Sequence, residues 1–113
     1  MEVKRGDLIT IALQGDYGKP RPALVMQDDA FAALASVSVL RLTGELHDWP
    51  LFRVTVEPDA SNGLQKTSQV MIDKPAAVPK TKLGQRIGRL DDTTMQAVSV
   101  AFARFHGLCS VRQ

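Results

Sequence analysis

The spacing of apolar residues changes near Asp91, and this change limits the possible folds more than any other feature of the chain. Before Asp91, apolar and polar residues alternate over short runs, with the two-residue period of a β-strand. After it, apolar residues recur every three or four positions, as in an amphipathic helix: Met95, Val98, Ala101, Phe102 and Phe105. The chain is therefore expected to form several short strands followed by one helix that covers their sheet.

Five to seven short strands are predicted, separated by turn signals that contain Gly, Pro or Asn. The clearest segments are DLITIAL (7–13), PALVMQ (22–27), VSVLRL (37–42), LFRVTVE (51–57) and SQVMIDK (68–74), with a further strand around 85–88. The first places Ile9, Ile11 and Leu13 on one face and Thr10 and Ala12 on the other, whereas the nearly all-apolar second should be buried on both sides. Alternation in the fourth predicts three inward side chains: Phe52, Val54 and Val56.

Turn and cap residues mark the ends of these elements. Asn62-Gly63 predicts a left-handed or hairpin turn, and Asp28 predicts the cap of a short helical turn. Either Asp91 or Asp92 can cap the final helix by accepting a backbone N–H, and Gly107 can end it in the left-handed conformation.

The expected fold is mainly β, with one α-helix at the C-terminal end. We predict a small, curled, mostly antiparallel sheet whose open side is closed by the amphipathic helix. The 113 residues fit a single domain spanning 1–113. A chain of this size buries about 65% of its unfolded surface, enough for a core without disulfides.

Composition and motifs exclude several classes of function. No apolar run approaches the roughly 18 residues of a membrane span, and no secretory leader pattern opens the sequence. The single cysteine, Cys109, cannot form an internal disulfide, so we expect a cytoplasmic protein. The two histidines, His47 and His106, lie far apart, and the chain contains no phosphate-binding glycine motif and no G-x-S-x-G elbow. Neither a metal ion nor another cofactor is therefore expected.

Positive charge is concentrated between residues 60 and 90, although the net charge of the chain is only +2. Asp73 is the one acid in this stretch, against six basic residues: Lys66, Lys74, Lys80, Lys82, Arg86 and Arg89. The stretch is either a solvated basic face or a surface that meets phosphates or an acidic partner.

Three polar residues stand at or near strand ends, where their side chains can meet. Arg21 lies between two prolines at the start of a strand, Thr43 follows another strand, and Asp73 lies opposite Val70 and Ile72 in a third. An arginine can clamp a phosphate, a threonine hydroxyl can bind a phosphate oxygen, and a carboxylate can accept a proton. Together they could cleave RNA without metal, because the substrate's 2′-hydroxyl supplies the nucleophile.

Each of these residues also has an ordinary structural interpretation. An arginine before a strand is usually exposed, a threonine in a turn is usually a turn residue, and an aspartate in a strand often pairs with a neighbouring lysine.

Five segments follow one another in an order that carries a resemblance: RGDLITIAL, RPALVMQ, LRLTGEL, GLQKTSQVMIDK and GRLDDTTMQAV. Together they resemble the MazF/PemK (Kid) toxin family over about 4–108. The resemblance implies an SH3-like small barrel with a C-terminal helix, which forms homodimers. It also implies a toxin that cleaves single-stranded RNA sequence-selectively and leaves a 2′,3′-cyclic phosphate. The implied protein partner is an antitoxin whose disordered acidic segment lies in the basic groove.

The resemblance assigns roles to the three strand-end residues. Arg21 matches the family's acid or phosphate-stabilising arginine, Thr43 matches its phosphate ligand, and Asp73 matches its catalytic aspartate. The expected RNA-contacting residues are Tyr17, Lys19, Arg41, Gly44, His47, Trp49, Arg53, Thr67 and Met71. Of these, Tyr17 and Trp49 can stack on bases, although Trp49 is equally suited to core or dimer packing.

The chain departs from the family pattern at three places. Met71 stands where PemK-type members carry an arginine two positions before the aspartate, so Arg53 or Arg41 would have to supply that group. Gly44 replaces a second hydroxyl found in many relatives. The first loop is shorter than in many ribonuclease members and lacks the histidine of PemK-type members.

Two alternatives to an endoribonuclease stay open from the sequence. One is a poison of the CcdB type, which has a similar fold and inhibits DNA gyrase by binding; that branch depends on a C-terminal Trp-Gly-Ile, whereas this chain ends Val-Arg-Gln. The other is an inactive member that retains only antitoxin binding, to which Met71 and Gly44 point.

Overall fold

The computed structural model describes residues 2–12 and 19–109. These residues form six strands and one α-helix, as predicted: β1 (Asp7–Ile11), β2 (Arg21–Val25), β3 (Ser36–Thr43), β4 (Arg53–Val56), β5 (Ser68–Pro79), β6 (Leu83–Arg89) and α1 (Asp92–Phe105). Two short 3-10 turns, Asp29–Phe31 and Lys80–Lys82, complete the predicted elements. No helix in the described part of the chain is long and apolar enough to cross a membrane.

All the strands join one antiparallel sheet in the order β4-β5-β3-β2-β1-β6. The strands do not close into a complete barrel, because β4 and β6 share no ladder within the described residues. The loop after β4 takes the place of that pairing. Its Ser61 carbonyl accepts a hydrogen bond from the Arg89 N–H of β6 at 2.9 Å. The sheet is therefore open, and a loop covers part of its last strand.

The core lies on both faces of the sheet, because adjacent residues of the central strands are buried on opposite sides. One cluster lies under α1 and contains Leu8, Leu24, Leu40, Val70, Ile72 and Val98, among others. The second contains Val3, Ile9, Ile11, Ala23, Val25, Val37, Val39 and Val78. The prediction that 22–27 is buried on both sides is confirmed. In the first strand Ile9 and Ile11 share a face as predicted, and Leu8 is equally buried in the other cluster; predicted Leu13 lies outside the described residues.

The side chains of the β4 segment alternate as predicted, and one further side chain, on the opposite face, is also buried. Val56 is buried, and Phe52 and Val54 are half-buried against the cluster under α1. The residue between them, Arg53, is only 7% exposed although it points to the other face. A charged side chain is buried to this extent only when it is paired, and its partner, Asp73, belongs to the site described below.

Both ends of α1 are built by the predicted residues. The Asp91 side chain accepts a hydrogen bond from the Thr94 N–H at 2.7 Å, and this backbone bond lowers the pKa of its carboxyl. Gly107 adopts the left-handed conformation with φ +71° just after the helix. The helix packs on β5 and β4, so it covers the first cluster and leaves the end of the sheet near Thr43 open.

Candidate functional site

An open groove of about 810 Å³ lies where β2 and β3 meet the loop before β5. It brings together five residues predicted for the site: Arg21, Arg41, Thr43, Gly44 and Met71. We refer to this space as the groove. Its volume is within the range of pockets that hold small organic ligands, so a short stretch of a nucleic-acid chain fits its dimensions.

The register of the sheet explains why Arg21 and Thr43 meet. In the β2–β3 ladder Ala23 pairs with Arg41 and Val25 pairs with Val39. Continuing that register by two residues places Arg21 opposite Thr43, on the same face of the sheet. Two residues that are distant in the sequence thus lie side by side where the two strands end.

The Thr43 hydroxyl is oriented by the turn that follows it. Its oxygen accepts a hydrogen bond from the Glu45 N–H at 3.0 Å. Because this bond uses only an acceptor site, the hydroxyl proton is left to be donated to a substrate oxygen.

The charges that line the groove are mostly positive. Arg21, Arg41, Lys66 and Lys74 contribute cations, and Glu45 contributes the one carboxylate among the described lining residues. The Glu45 side chain is 80% exposed, and its Oε1 lies 3.4 Å from Nε2 of His47. The groove therefore suits a polyanion and holds a single group able to accept a proton.

The predicted basic surface of residues 60–90 is not one surface. Arg89 and Arg86 lie 2.9 Å and 3.8 Å from the fully buried Asp7, so their charges are partly neutralised within the protein. Lys80 donates to the Ala32 carbonyl. Of the six basic residues only Lys66 and Lys74 line the groove. Strand β6 contributes Ile87 to the lining, whereas its two arginines lie at Asp7.

Asp73 does not line the groove, contrary to the expectation that it meets Arg21 and Thr43. Arg53 holds it in a two-pronged contact, with Nε donating to Oδ1 at 3.0 Å and Nη2 donating to Oδ2 at 3.3 Å. Lys74 adds a weaker ion pair at 3.6 Å. The sequence offered Arg53 or Arg41 in place of the arginine missing at position 71. Arg53 takes this place, because it is the cross-strand partner of Met71 and its guanidinium reaches Asp73, the next residue on that face.

The pKa of Asp73 reflects two opposing effects. Burial of the carboxyl raises its pKa and is the largest single contribution. The hydrogen bonds from Arg53 and from the backbone, with the positive charges of Arg53 and Lys74, together outweigh burial. The net pKa lies below the ordinary aspartate value, so Asp73 is ionised at neutral pH and is better suited to holding Arg53 than to accepting a proton.

Arg53 in turn supports an aromatic pair in the loop between β3 and β4. Its guanidinium carbon lies 5.0 Å from the centre of the Trp49 ring. The His47 ring stacks on the Trp49 ring, with the ring centroids 3.9 Å apart and an angle of 3° between the planes. Trp49 is 42% exposed, so the prediction of core packing is wrong, whereas base stacking stays a prediction.

The same loop is held by a buried glutamine that sequence inspection did not single out. Gln69 is 5% exposed, and its side-chain amide donates to the His47 carbonyl at 2.9 Å while accepting from the His47 N–H at 3.0 Å. This pair of bonds replaces a strand-to-strand contact and fixes the loop that begins at Thr43.

The remaining predicted RNA contacts that the structure describes lie outside the groove. Lys19 is exposed and does not line it. Thr67 donates its hydroxyl proton to Glu57, and His47 and Arg53 belong to the aromatic pair and the ion pair. Tyr17 lies outside the described residues. Sequence reasoning missed Glu45, Lys66 and Lys74 as individual site residues. Glu45 could have been found from its position close to Thr43, and Lys74 from its position next to Asp73.

Comparisons with known proteins agree with one another. A family model described as the PemK-like, MazF-like toxin of type II toxin–antitoxin system matches residues 4–106. The probable endoribonuclease MazF of Mycolicibacterium smegmatis is 45% identical over 107 residues, which cover 94% of this chain and 98% of that protein.

Solved structures show the same fold. The structure titled Mycobacterium tuberculosis toxin MazF-mt6 is 27% identical with a TM-score of 0.76, covering 94% of this chain and 100% of that one. An endoribonuclease in complex with its cognate antitoxin, from a mycobacterial species, is 24% identical with a TM-score of 0.81, covering 96% of this chain and 98% of that one. At that identity the second likeness shows the fold alone.

Proposed function

This chain belongs to the PemK-like, MazF-like toxin family of type II toxin–antitoxin systems, and we propose that it cleaves single-stranded RNA in the groove without a metal ion. The observation that carries the proposal is that Arg21 and Thr43 both line a groove whose charged side chains are mainly cations. A relative covering nearly the whole chain is named a probable endoribonuclease, which supports the same activity here.

The proposed reaction needs little covalent chemistry from the protein. The 2′-oxygen of the substrate loses its proton and bonds to the adjacent phosphorus, and the bond from phosphorus to the 5′-oxygen breaks. The products are a 2′,3′-cyclic phosphate and a 5′-hydroxyl, whose proton comes from solvent. Arg21 and the Thr43 hydroxyl donate hydrogen bonds to the phosphate oxygens, whose negative charge increases in the transition state. A guanidinium offers several N–H donors in a rigid fork that matches phosphate oxygens, so Arg21 is assigned the role of stabilising the phosphate charge.

Glu45 is the group we assign to accept the 2′-proton, because it is the carboxylate that lines the groove beside Thr43. Asp73 is then a positioning residue: it holds Arg53, which contacts Trp49 and keeps the loop after Thr43 in place.

The first experiment is cleavage of a long single-stranded RNA by the purified protein in EDTA. We expect discrete fragments ending in cyclic phosphate. Arg21→Ala should lower kcat about 100-fold or more, the usual effect of removing one transition-state donor. Glu45→Gln should lower kcat about 100-fold with little change in KM, as expected for a general base. Lys82→Ala, which removes an exposed cation outside the groove, is the matched control and should cleave normally.

The outcomes separate this proposal from the alternatives. Intact RNA with wild-type protein that still poisons cells would contradict ribonuclease activity and favour a binding poison such as a gyrase inhibitor. Wild-type protein that neither cleaves nor poisons, yet binds an antitoxin, would indicate an inactive member. Full activity of folded Arg21→Ala would remove the central role of Arg21.

We further propose that the protein acts as a homodimer in the cytoplasm and that an antitoxin inhibits it. The antitoxin's disordered acidic segment would cover the cations of the groove. The match to a family of toxins from type II toxin–antitoxin systems supports this partner. Light scattering of the free protein and of its mixture with the antitoxin tests the dimer and the binding of the antitoxin, and the cleavage assay repeated with antitoxin tests the inhibition.

A further inference from the structure

Lys66 lies directly over Gly44, the residue that follows Thr43 in the groove. A β-carbon built on Gly44 would lie 2.3 Å from Cε and 2.6 Å from Nζ of Lys66, far inside van der Waals contact. The end of the lysine side chain therefore occupies the volume in which any other residue at position 44 would place its own side chain. This close approach brings an ammonium group next to the phosphate-binding threonine.

The charge of Lys66 is not neutralised within the described part of the protein. No carboxylate there lies within 4.0 Å of its ammonium, whereas Arg53 and Arg89 each have a carboxylate partner. The backbone of Lys66 is held in place, because its carbonyl accepts a hydrogen bond from the Ser68 hydroxyl at 3.0 Å. A cation fixed at its base, lining the groove and lacking an acidic partner is suited to an anionic ligand.

We propose that Lys66 binds a phosphodiester of the RNA chain beside Thr43, and that the absence of a side chain at Gly44 is what admits its ammonium there. The proposal rests on the proposed function and adds a specific phosphate contact to it. A lysine acts as a point charge on phosphate and reads no base. Lys66 should therefore contribute to RNA affinity and to its dependence on salt, equally for all sequences.

The test measures binding without cleavage. The probe is a mixed-sequence single-stranded RNA oligonucleotide with a 2′-fluoro group at every position, which removes the nucleophile. Affinity is measured by fluorescence anisotropy at several salt concentrations for the wild-type protein and for Lys66→Met. The variant should bind about tenfold more weakly at low salt, the usual effect of losing one charged hydrogen bond. The slope of log affinity against log salt should be smaller by about 0.7, the value for one phosphate contact on a single strand. Lys82→Met, outside the groove, should match wild type in both respects.

A second variant tests the role of Gly44. Gly44→Ala should displace the lysine end and reproduce the loss of affinity and of slope, although Lys66 is still present. The double variant Gly44→Ala/Lys66→Met should bind like Lys66→Met alone, because both changes remove the same contact. Thermal melts establish that each variant is folded.

Several outcomes would overturn the proposal. A folded Lys66→Met protein with the salt slope of the wild type would contradict the proposal, and so would additive effects of the two substitutions. In either case RNA cleavage by the wild type would still support the proposed function. If Lys66→Met weakened the binding of an acidic antitoxin peptide but not of RNA, Lys66 would belong to a different partner and the proposal would also be wrong. Wild-type protein that neither binds nor cleaves RNA would instead overturn the proposed function, and this proposal with it.

Discussion

Arg53 and Asp73 form a nearly buried ion pair beside the groove, with side chains 6% and 17% exposed. Removing one partner of such a pair leaves a buried charge uncompensated, which costs more than the intact pair contributes to stability. Arg53 also contacts Trp49, so the pair connects the middle of β5 to the loop that follows Thr43. A substitution of Arg53 or Asp73 is therefore expected to affect first the stability of the protein and the position of this loop.

Asp73→Asn should destabilise the protein by about 2 kcal/mol at neutral pH, below the 3–5 kcal/mol for a fully buried pair because Asp73 is partly exposed. The folded-state pKa of Asp73 is lowered, so in acid the unfolded chain binds more protons at this residue. Its contribution is thus fully present above the unfolded pKa of about 4 and is lost as pH falls through the lower folded pKa. Denaturant unfolding from pH 7 to pH 3 should show the stability gap between wild type and variant shrinking below about pH 4.

Asp48→Asn, which alters an exposed aspartate, is the matched control and should change stability little. A folded Asp73→Asn protein with wild-type stability but a large loss of kcat would show that Asp73 reacts with substrate after all.

Sequence inspection identified Arg21 and Thr43 because both residues stand at strand ends that the antiparallel register brings together. It assigned Asp73 less well, because its partner, Arg53, lies 20 positions away and meets it only through the β4–β5 pairing. The alternation rule also predicts nothing about Lys66, whose position depends on the conformation of a loop. The meeting of residues at strand ends was predictable, whereas contacts made between a loop and a neighbouring strand were not.

At the scale of elements, the loop between β4 and β5 carries one wall of the groove and is organised around a buried asparagine. Asn62 is 2% exposed, and its side-chain oxygen accepts hydrogen bonds from the N–H groups of Asp59 and Leu64 at 3.1 Å and 3.0 Å. Its amide donates to the Glu57 carbonyl at 2.9 Å. The Asn62-Gly63 turn was predicted; that it would fold against β6 and carry Lys66 to the groove was not, because this depends on tertiary packing.

Gly63→Ala should destabilise this loop by about 1–3 kcal/mol, for two reasons. Gly63 adopts φ +69°, and an added β-carbon would lie 2.0 Å from the Ile87 carbonyl oxygen of β6. The backbone must therefore move, and Leu64 to Lys66 move with it. A thermal melt should show the loss of stability, and RNA affinity should fall at temperatures where the variant is still folded.

Gly107→Ala is the matched control, since Gly107 has a similar φ of +71° but no atom within 4 Å of an added β-carbon. It carries the conformational strain without the collision, so it should cost less stability and leave RNA affinity unchanged. Equal effects of the two substitutions would show that the packing of the loop on β6 is unimportant.

At the scale of the whole molecule, the two core clusters are not independent. Four strands supply side chains to both of them: β1, β2, β3 and β5. In β3, for example, Leu40 lies in the cluster under α1 and Val39 in the other. Neither cluster can lose its packing without disrupting strands that the other requires, which supports the prediction of one domain more strongly than chain length does.

We therefore expect the chain to unfold in a single cooperative transition. Trp49 is the one tryptophan of the sequence, and its fluorescence reports on the loop held by Arg53 and Gln69. Far-UV circular dichroism reports on the sheet and on α1 as a whole. The two signals should give the same midpoint and the same dependence on urea, as two-state unfolding requires. If the folded protein is a dimer, both midpoints should rise together with protein concentration, because association stabilises only the folded state. A fluorescence transition at lower urea than the circular dichroism transition would contradict this expectation, since the loop beside the groove would then melt while both core clusters persist.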